Sequence, residues 1–327
     1  MSGGYFVGAD MGGTNLRCGA VSRSGELLLL RRAPAEAMAA ADAVVANIAA
    51  NVEAVAREAR GRGLGAPRGI GVAVPGPLDL VSGTVTATPH VSAWRSFPLR
   101  ARLQRELHCP VAIENDANAW ALGEFWRGAA RGRSEVVLLT LGTGVGGGLI
   151  VSGRIVHGIA GMAGELGHVT VEPNGLRCDC GARGCLEAYA SASGIRRLVE
   201  NRLRKGAPMP ALFTDSRGDF TVKRLAHAAR RKNGLARSVF ELAGRYLGIA
   251  VASFVNIFNP ELVVIGGGVS GALPLMREPM MREIRERAFA AALGRVSIVR
   301  AALGGHAGVV GAAYAAAQRM QAAIARD

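Results

Sequence analysis

The sequence contains almost no lysine, although it is strongly basic. Of its 39 basic residues, only Lys205, Lys223 and Lys232 are lysines, so residues 1–204 contain none. A Walker phosphate loop needs a lysine after its glycines, which excludes that class of nucleotide site from these residues. The arginines are spread along the chain without a zinc-finger or recognition-helix pattern. The net charge of +14 therefore favours a dispersed surface charge over nucleic-acid binding, although the binding of a polyphosphate donor stays open.

Long uninterrupted apolar runs are also missing. The longest apolar stretch with helical spacing, residues 308–326, is interrupted by Gln318, Arg319 and Gln321, which favours a core-facing helix over a membrane span. No secretory leader pattern precedes the first strand, so we expect a soluble cytoplasmic protein. Aromatic residues make up only 5% of the 327 residues, so small aliphatic side chains must fill the cores of what we expect to be two domains.

Cysteine is scarce but clustered. Three of the five cysteines, Cys178, Cys180 and Cys185, lie within eight positions, and His168 lies ten residues upstream of the first. A disulfide, a redox pair and plain buried thiols are the alternatives to a metal site. The CxC spacing differs from the redox CxxC pattern, and the charged residues and glycines around it predict an exposed turn. A Cys₃His set suits structural zinc, which takes four ligands and leaves no open catalytic position. Chelation should then damage folding and ligand affinity rather than remove a catalytic ion.

Two glycine-rich hairpins, residues 5–34 and 134–158, repeat one design. Each predicts a strand, a glycine loop, a second strand and a turn, and alignment places Gly12 against Gly142 and Thr14 against Gly144. Glycine loops present backbone N–H groups to anions, although a structural turn explains either loop alone. Because a strand rather than a helix follows each loop, the dinucleotide fingerprint does not fit. The pair favours a nucleotide held between two lobes.

A third glycine cluster, Gly266, Gly267 and Gly268, follows a buried strand at residues 261–265. It predicts either a plain strand-to-helix turn or a seat for the adenosine end of the nucleotide. The residues alone leave both interpretations open.

The run Glu114-Asn115-Asp116 lies where an apolar strand gives way to a helix. Asn and Asp at such a junction often cap the helix. Open α/β sheets also bind ligands at the carboxyl ends of their strands, where Asp116 could accept the proton of an attacking hydroxyl. In phosphoryl transfer, Mg²⁺ neutralises the phosphate charge, and Asp10 is the candidate to hold that ion directly or through water.

Together these motifs resemble the ROK group of sugar kinases and repressors. The resemblance covers nearly the whole chain, through "GADMGGTNLR", "VAVPGPLD", "ENDANAWALGE", "LGTGVGGGLIVSG", "GELGH", "CDCGARGCLE" and "VVIGGGVS". It implies an α/β fold with two lobes, the duplicated ribonuclease-H-like ATPase fold of actin, hexokinase and Hsp70, with a structural zinc site. The smaller lobe would span residues 1–118 plus 306–327, and the larger lobe 119–305. Residues 201–234 predict a polar, loop-rich excursion between helices.

Within the family, the bacterial ATP-dependent glucokinases are most similar. The implied activity is transfer of the γ-phosphate of ATP to the 6-hydroxyl of a hexose, with glucose ahead of N-acetylmannosamine, N-acetylglucosamine, allose or fructose. The resemblance implies that Asp116 is the catalytic base. It also implies these sugar contacts: Gly76, His90, Asn115, Asp116, Glu165, His168 and Glu187. The implied ATP contacts are Asp10, Gly12, Gly13, Thr14, Asn15, Arg17, Leu141, Gly142, Thr143, Gly144, Val145, Gly146, Gly147, Gly148, Gly266, Gly267 and Gly268. The implied zinc ligands are His168, Cys178, Cys180 and Cys185.

One departure from the family concerns sugar preference. His90 stands where the family often has asparagine, and imidazole differs from an amide in reach and in pH response. A non-catalytic, sugar-binding regulator is the alternative function. Family repressors carry a helix-turn-helix domain ahead of the first strand, whereas only Met1–Gly4 precede that strand here, so we expect the kinase. Such kinases commonly form homodimers or homotetramers, and no nucleic-acid or membrane partner is expected.

Overall fold

The computed structural model describes residues 4–36, 40–87, 94–203 and 208–324. Within these ranges, two five-stranded sheets form the centres of two halves, and a three-stranded sheet lies beside the first.

The first sheet has a meander followed by two parallel strands. Its strands are β1 (Tyr5–Met11), β2 (Asn15–Ser22), β3 (Leu27–Pro34), β4 (Ile70–Val74) and β8 (Val111–Asn115), and those of the small sheet are β5 (Leu78–Asp79), β6 (Thr84–Ala87) and β7 (Arg95–Phe97). Helices α1 (Ala41–Gly61) and α2 (Leu99–Leu107) connect them. All seven residues of β1 are buried, since helices cover both faces of the sheet there. The buried residues of α1, such as Val44, Ile48 and Val52, follow the helical spacing of a core-facing stripe.

The second sheet repeats that plan. Its strands are β9 (Val136–Leu141), β10 (Val145–Val151), β11 (Arg154–Ile155), β12 (Leu262–Gly266) and β13 (Ser297–Arg300). The helices that follow β8 in the chain are α3 (Asp116–Arg127), α4 (Glu187–Ala190), α5 (Ala192–Glu200), α6 (Val222–Arg230), α7 (Gly234–Phe258), α8 (Leu273–Arg287), α9 (Ala290–Leu293) and α10 (Ala307–Ile324).

The two sheets have the same topology. The first runs β3-β2-β1-β4-β8 and the second β11-β10-β9-β12-β13, with an antiparallel meander at one side and parallel strands at the other in both. The duplicated α/β fold predicted from the two glycine hairpins is therefore confirmed. The lobe boundaries at residues 118 and 306 stay a prediction.

Each half contributes its final helix to the other half. Helix α3 follows β8 of the first sheet but packs on β9 and β10, where Ala121 joins a core with Val136 and Leu138. Helix α10 follows β13 of the second sheet but packs on β1 and β4. A methyl group at Gly71 would overlap the carbonyl oxygen of Ala312, so glycine permits this close approach. The two exchanged helices also pack on each other.

Helix α7 is long and apolar enough by composition to cross a membrane, but 67% of its most apolar window is buried in the protein. It packs against α8 and forms part of the largest core, which identifies it as a core helix. The expected loop at residues 201–234 was partly wrong: α6 begins after Thr221, whose hydroxyl oxygen accepts from the Arg224 N–H at 3.2 Å, and Leu225 is fully buried.

Candidate active site

The first glycine loop joins β1 to β2 and has a buried acid behind it. Asp10, at 4% exposure, lies with its Oδ2 3.6 Å from Arg17 Nη1. Burial and, next, the negative charge of Asp116 raise the pKa of Asp10 to about 7. The Gly12 N–H donates to the Asn15 carbonyl at 2.9 Å, and the two residues between them are exposed. An exposed loop in front of a buried carboxylate suits a phosphate with a cation beside it.

The cap of α3 is Asn115. Its side-chain oxygen accepts from the N–H groups of Ala117 at 2.9 Å and Asn118 at 3.1 Å. Its Nδ2 donates to the Gly76 carbonyl at 3.3 Å, which joins the loop after β4 to the cap. The half-buried Asp116 occupies the first helical position, where its Oδ1 also accepts from the Ala117 N–H at 2.9 Å. The helix N-terminus favours the ionised form of that carboxylate, which a general base requires.

Acidic side chains converge beside Asp116. Burial and, after it, the negative charges of Asp116 and Glu187 raise the pKa of Glu165, while His168 opposes this shift. The structure thus brings together Asp116, Glu165 and Glu187, which are separated by up to 71 positions in the chain.

The cysteine cluster is compact. The ligand atoms of His168, Cys178, Cys180 and Cys185 all lie within 4.8 Å of one another, and the five cysteines of the chain are free thiols. The Sγ atoms of Cys180 and Cys185 are 3.7 Å apart, and His168 Nδ1 is 3.7 Å from Cys178 Sγ. A tetrahedral zinc with bonds of about 2.0–2.3 Å needs ligand separations of about 3.5–4 Å. These four residues therefore fit a zinc ion and supply a full coordination shell.

The two ring nitrogens of His168 face different groups. Nδ1 of His168 points to the cysteines, whereas Nε2 lies 3.8 Å from Glu165 Oε2. One ring nitrogen is thus available to a metal while the other faces Glu165. A metal bond on Nδ1 would fix the tautomer and the ring orientation that Nε2 presents.

Glu187 connects the cluster to the second glycine loop. Its Oε2 accepts from the Val145 N–H at 2.9 Å, and its Oε1 lies 3.5 Å from Cys178 Sγ. A methyl group at Gly144 would overlap this carboxylate. The turn itself comprises residues 142–144, and residues 145–148 belong to β10.

The third glycine cluster lies next to this loop. Gly266 ends β12, and Gly267 has φ = +84° and passes directly beside the carbonyl of Leu141. Gly268 begins a short 3₁₀ helix. The structure thus brings together the end of β9 and the third cluster, whereas His90 lies outside the described residues.

Sequence reasoning assigned no role to the pair of buried Glu114 and half-buried His157. Glu114, at 4% exposure, accepts from the Asn115 N–H at 2.9 Å and from Asn118 Nδ2 at 3.2 Å, while its other oxygen lies 2.9 Å from His157 Nε2. Burial lowers the pKa of His157, but the hydrogen bond and charge of Glu114 outweigh it, so the net direction is upward. This pair ties the start of α3 to the segment that leads to Glu165.

Sequence reasoning also missed Glu124, which is fully buried. Its carboxylate accepts from the N–H groups of Ala129 at 2.7 Å, Ala302 at 3.0 Å and Leu303 at 2.8 Å. It anchors the segment that leads into α10. The sequence did contain a signal for the burial of Glu124, because it lies seven residues after Ala117 and therefore on the same, buried face of α3.

Comparison with known proteins gives consistent matches. The sequence profile of the ROK family matches residues 6–319. A glucokinase from Halalkalibacterium halodurans is 37% identical over 323 residues, 98% of this chain and 97% of the relative. A crystal structure of a ROK family glucokinase from Streptomyces griseus, in complex with glucose and AMPPNP, is 33% identical with a TM-score of 0.81, covering 96% of this chain and 100% of that one. A xylose repressor from Caldicellulosiruptor bescii is 35% identical over 243 residues, 74% of this chain but 61% of the repressor.

Proposed function

The chain belongs to the ROK family, and from that membership and the geometry of the site we propose that it is an ATP-dependent hexose kinase that phosphorylates the 6-hydroxyl of glucose. The observation that carries the proposal is the position of Asp116, at the carboxyl end of β8, close enough to both Asp10 and Glu165 to shift their pKa values. Supporting it, the relatives named glucokinases match over nearly their full length, whereas the repressor matches over part of its own.

In this proposal Asp116 is the catalytic base. Its carboxylate accepts the proton of the sugar 6-hydroxyl as the oxygen attacks the γ-phosphorus and the bond to the β-phosphate oxygen breaks. The carboxylate lies at the start of α3, where the helix N-terminus favours negative charge, and Asn115 caps the first turn. The base is therefore rigid before substrate arrives.

The remaining sugar hydroxyls would bind to Asn115, Glu165, His168 and Glu187. Two of these, Glu165 and Glu187, are acceptors when ionised, and His168 Nε2 can donate when Nδ1 is bound to a metal. Burial raises the pKa of Glu165, so a sugar hydroxyl donating to it would stabilise the ionised form. The loop at Gly76 closes one side of this pocket.

ATP would lie across both glycine loops, with its adenosine end at Gly266–Gly268. Asp10 would hold Mg²⁺, directly or through water, and the ion would neutralise charge on the transferring phosphate. The residues present fit a cation: the pKa of Asp10 is raised to about 7 by burial and by the neighbouring Asp116, and a nearby positive charge would relieve both effects.

Zinc would be held by His168, Cys178, Cys180 and Cys185, which fit it in number, chemistry and spacing. When bound, the ion supplies a structural cross-link. We also propose a cytoplasmic location, as expected from the sequence patterns, and a homodimer or homotetramer, inferred from the family resemblance.

The experiment is a coupled assay of sugar-dependent ADP release with ATP, Mg²⁺ and a panel of hexoses. We expect glucose to be the best substrate and Asp116→Asn to lower kcat by about 10²–10⁴-fold. Glucose affinity, measured by calorimetry, should change little, because the amide keeps its hydrogen-bonding capacity. Asp219→Asn, at an exposed loop carboxylate, is the matched control and should retain full activity.

The second candidate, a non-catalytic regulator, is favoured by the repressor match. It predicts that the wild-type protein binds a sugar without releasing ADP. That result, on protein shown to be folded and zinc-loaded, would reject the kinase.

A further inference from the structure

The segment Glu187–Ser193 follows the last cysteine of the cluster and forms hydrogen bonds with the second glycine loop. Ala192 and Ser193 begin α5, so their N–H groups point out of the helix N-terminus. The Ala192 N–H donates to the Gly142 carbonyl at 2.8 Å. The Ser193 hydroxyl donates to the Thr143 carbonyl at 2.8 Å, and the Ser193 N–H reaches the same oxygen at 3.4 Å.

These contacts determine where the N–H groups of the loop point. In a planar trans peptide, the C=O and the following N–H point in opposite directions. Holding the carbonyls of Gly142 and Thr143 toward α5 therefore turns the N–H groups of Thr143 and Gly144 away from it. Among the residues that the structure describes, neither of these two N–H groups has a hydrogen-bond partner. Two successive outward N–H groups form an anion-binding nest.

The other end of the same segment closes the loop. Glu187 accepts from the Val145 N–H at 2.9 Å, immediately after the nest. Within the segment, the fully buried Ser191 joins the two ends: its hydroxyl donates to the Glu187 carbonyl at 2.7 Å, accepts from the Gly194 N–H at 2.9 Å and lies 3.0 Å from the Ser193 hydroxyl. Each hydroxyl has a single proton, which Ser191 donates to Glu187 and Ser193 to Thr143. The connection between the two ends therefore runs through Ser191, which bonds both the Glu187 carbonyl and the Gly194 N–H in the first turn of α5, the turn that carries Ser193.

We propose that Ser193 is a positioning residue that aims the phosphate-binding N–H groups of the second glycine loop and couples sugar binding to nucleotide binding through Ser191 and Glu187. The inference rests on the proposed function, because that function assigns Glu187 to the sugar and the loop to the nucleotide. A sugar that orders Glu187 also orders the Val145 N–H and the Ser191–Ser193 pair. The nest is then formed before ATP arrives, and by linkage the nucleotide favours sugar binding to the same extent.

Ser193→Ala tests this inference, since it removes the shorter of the two bonds to the Thr143 carbonyl and leaves the α5 backbone in place. The net free energy of one hydrogen bond predicts a rise of about 3- to 10-fold in the Kd of AMPPNP with Mg²⁺ in the presence of glucose. The Kd of glucose alone should change by less than about twofold, within the scatter of such measurements. The ratio of AMPPNP Kd without and with glucose should fall toward one.

Two further variants make the measurement specific. Ser193→Thr keeps the hydroxyl and should restore most of the affinity and the coupling ratio. Ser253→Ala removes a hydroxyl that bonds the Ile249 carbonyl within α7, at 3.1 Å, and should change neither. Calorimetric titrations of all four proteins with AMPPNP, glucose and both together supply the data, and thermal unfolding checks that each is folded.

The possible failures are distinguishable. Equal AMPPNP affinity and an equal coupling ratio in wild type and Ser193→Ala would overturn the inference while leaving the kinase proposal intact. A lower Tm with equal loss of both ligands would overturn it too, because Ser193 would then serve folding only. Failure of the proposed function shows instead in the wild type, as absence of glucose-dependent ADP release, and overturns both.

Discussion

At the residue scale, carboxylates that are buried (Glu114 and Glu124) or half-buried (Glu187) define the geometry of the site by accepting backbone N–H groups. Glu114 holds the junction of β8 and α3, Glu124 holds the segment before α10, and Glu187 holds Val145. Each lies between elements that are distant in the chain. A carboxylate accepts several N–H groups at once, so one side chain can fix two segments. Replacing any of them by alanine would leave buried donors without partners.

The pair of Glu114 and His157 makes part of the stability depend on pH. The pKa of His157 is raised in the folded protein by Glu114, so the stabilising bond is fully present below the unfolded pKa of His, about 6.5, and is lost as pH rises through the raised value. We expect His157→Gln to lower the free energy of unfolding by about 1–2 kcal/mol at pH 6 and by clearly less at pH 9.

Urea unfolding of wild type and variant at the two pH values measures this difference. His227→Gln, at an exposed position of α6, is the control and should have little effect at either pH. A difference between wild type and His157→Gln that stays constant or grows toward pH 9 would contradict the assignment.

At the element scale, the segment from the short 3₁₀ helix Leu166–His168 to α5 has little regular structure of its own. It contains turns and isolated bridges such as Thr170 with Cys185. Its Tyr189 ring packs against Tyr246 of α7, with the ring centroids 4.0 Å apart. Such a segment presents its polar side chains in fixed positions only when something cross-links it. The four predicted zinc ligands provide that cross-link.

Loss of zinc should therefore weaken sugar binding more than it slows the phosphoryl transfer itself. We expect about one zinc atom per chain in the wild type and much less in Cys180→Ser. The Kd of glucose should rise about tenfold or more, because zinc would no longer fix the positions of His168 and Glu187. Hydrogen bonds from a sugar to charged groups contribute more free energy than bonds between neutral groups. Elemental analysis and calorimetry measure both effects.

The control for that variant is Cys109→Ser, which alters a half-buried thiol outside the cluster. It should retain zinc and glucose affinity. If Cys180→Ser kept its zinc and its glucose affinity, the proposal that Cys180 is part of a zinc cross-link would be wrong.

At the scale of the whole molecule, the two halves are joined by the exchange of α3 and α10. The first sheet is covered on one face by α10, with Phe6, Val21 and Ala112 packed against Val309 and Ala313. The second sheet is likewise packed against α3. Asp116, the proposed catalytic base, begins one exchanged helix, and the first turn of the other lies over Asp10. The proposed active site is therefore built where the halves exchange helices, and closure of the halves over sugar would change both helix starts together.

This packing makes Gly71 sensitive to a single methyl group. Gly71→Ala forces the methyl against the carbonyl of Ala312, and overpacking of this kind costs about 1–3 kcal/mol of unfolding free energy. Gly61→Ala is the matched control, since nothing lies within 4 Å of its added methyl group and the change should stabilise by about 0.4–1 kcal/mol. Equal unfolding midpoints in urea for the two variants would show that α10 does not pack as described.

The sequence predicted those features that depend on short-range patterns. The glycine hairpins, the buried strands, the core-facing helix α10 and the clustered cysteines each lie within one continuous stretch, and the structure confirms them. Helix α6 had a local signal that was not used, since Leu225, Ala226 and Ala229 follow helical spacing.

Long-range contacts left no comparable signal. Glu114 and His157 are separated by 43 positions and Ser193 and Thr143 by 50, so no periodic pattern connects them. The sequence also could not predict which of Asn115 and Asp116 caps α3, because both residue types cap helices equally well. The structure shows that Asn115 is the cap.

The exchange of helices has a consequence for biosynthesis. Strands β1 to β4 are made well before α10, whose residues Val309, Ala312 and Ala313 cover Gly8 and Gly71. Domains usually fold as units while the chain is being made, starting from the N-terminus. Here the first sheet keeps an uncovered apolar face from the completion of β8 until α10 has been made. The nascent chain, rather than the finished enzyme, is therefore the state in which this protein most needs a chaperone.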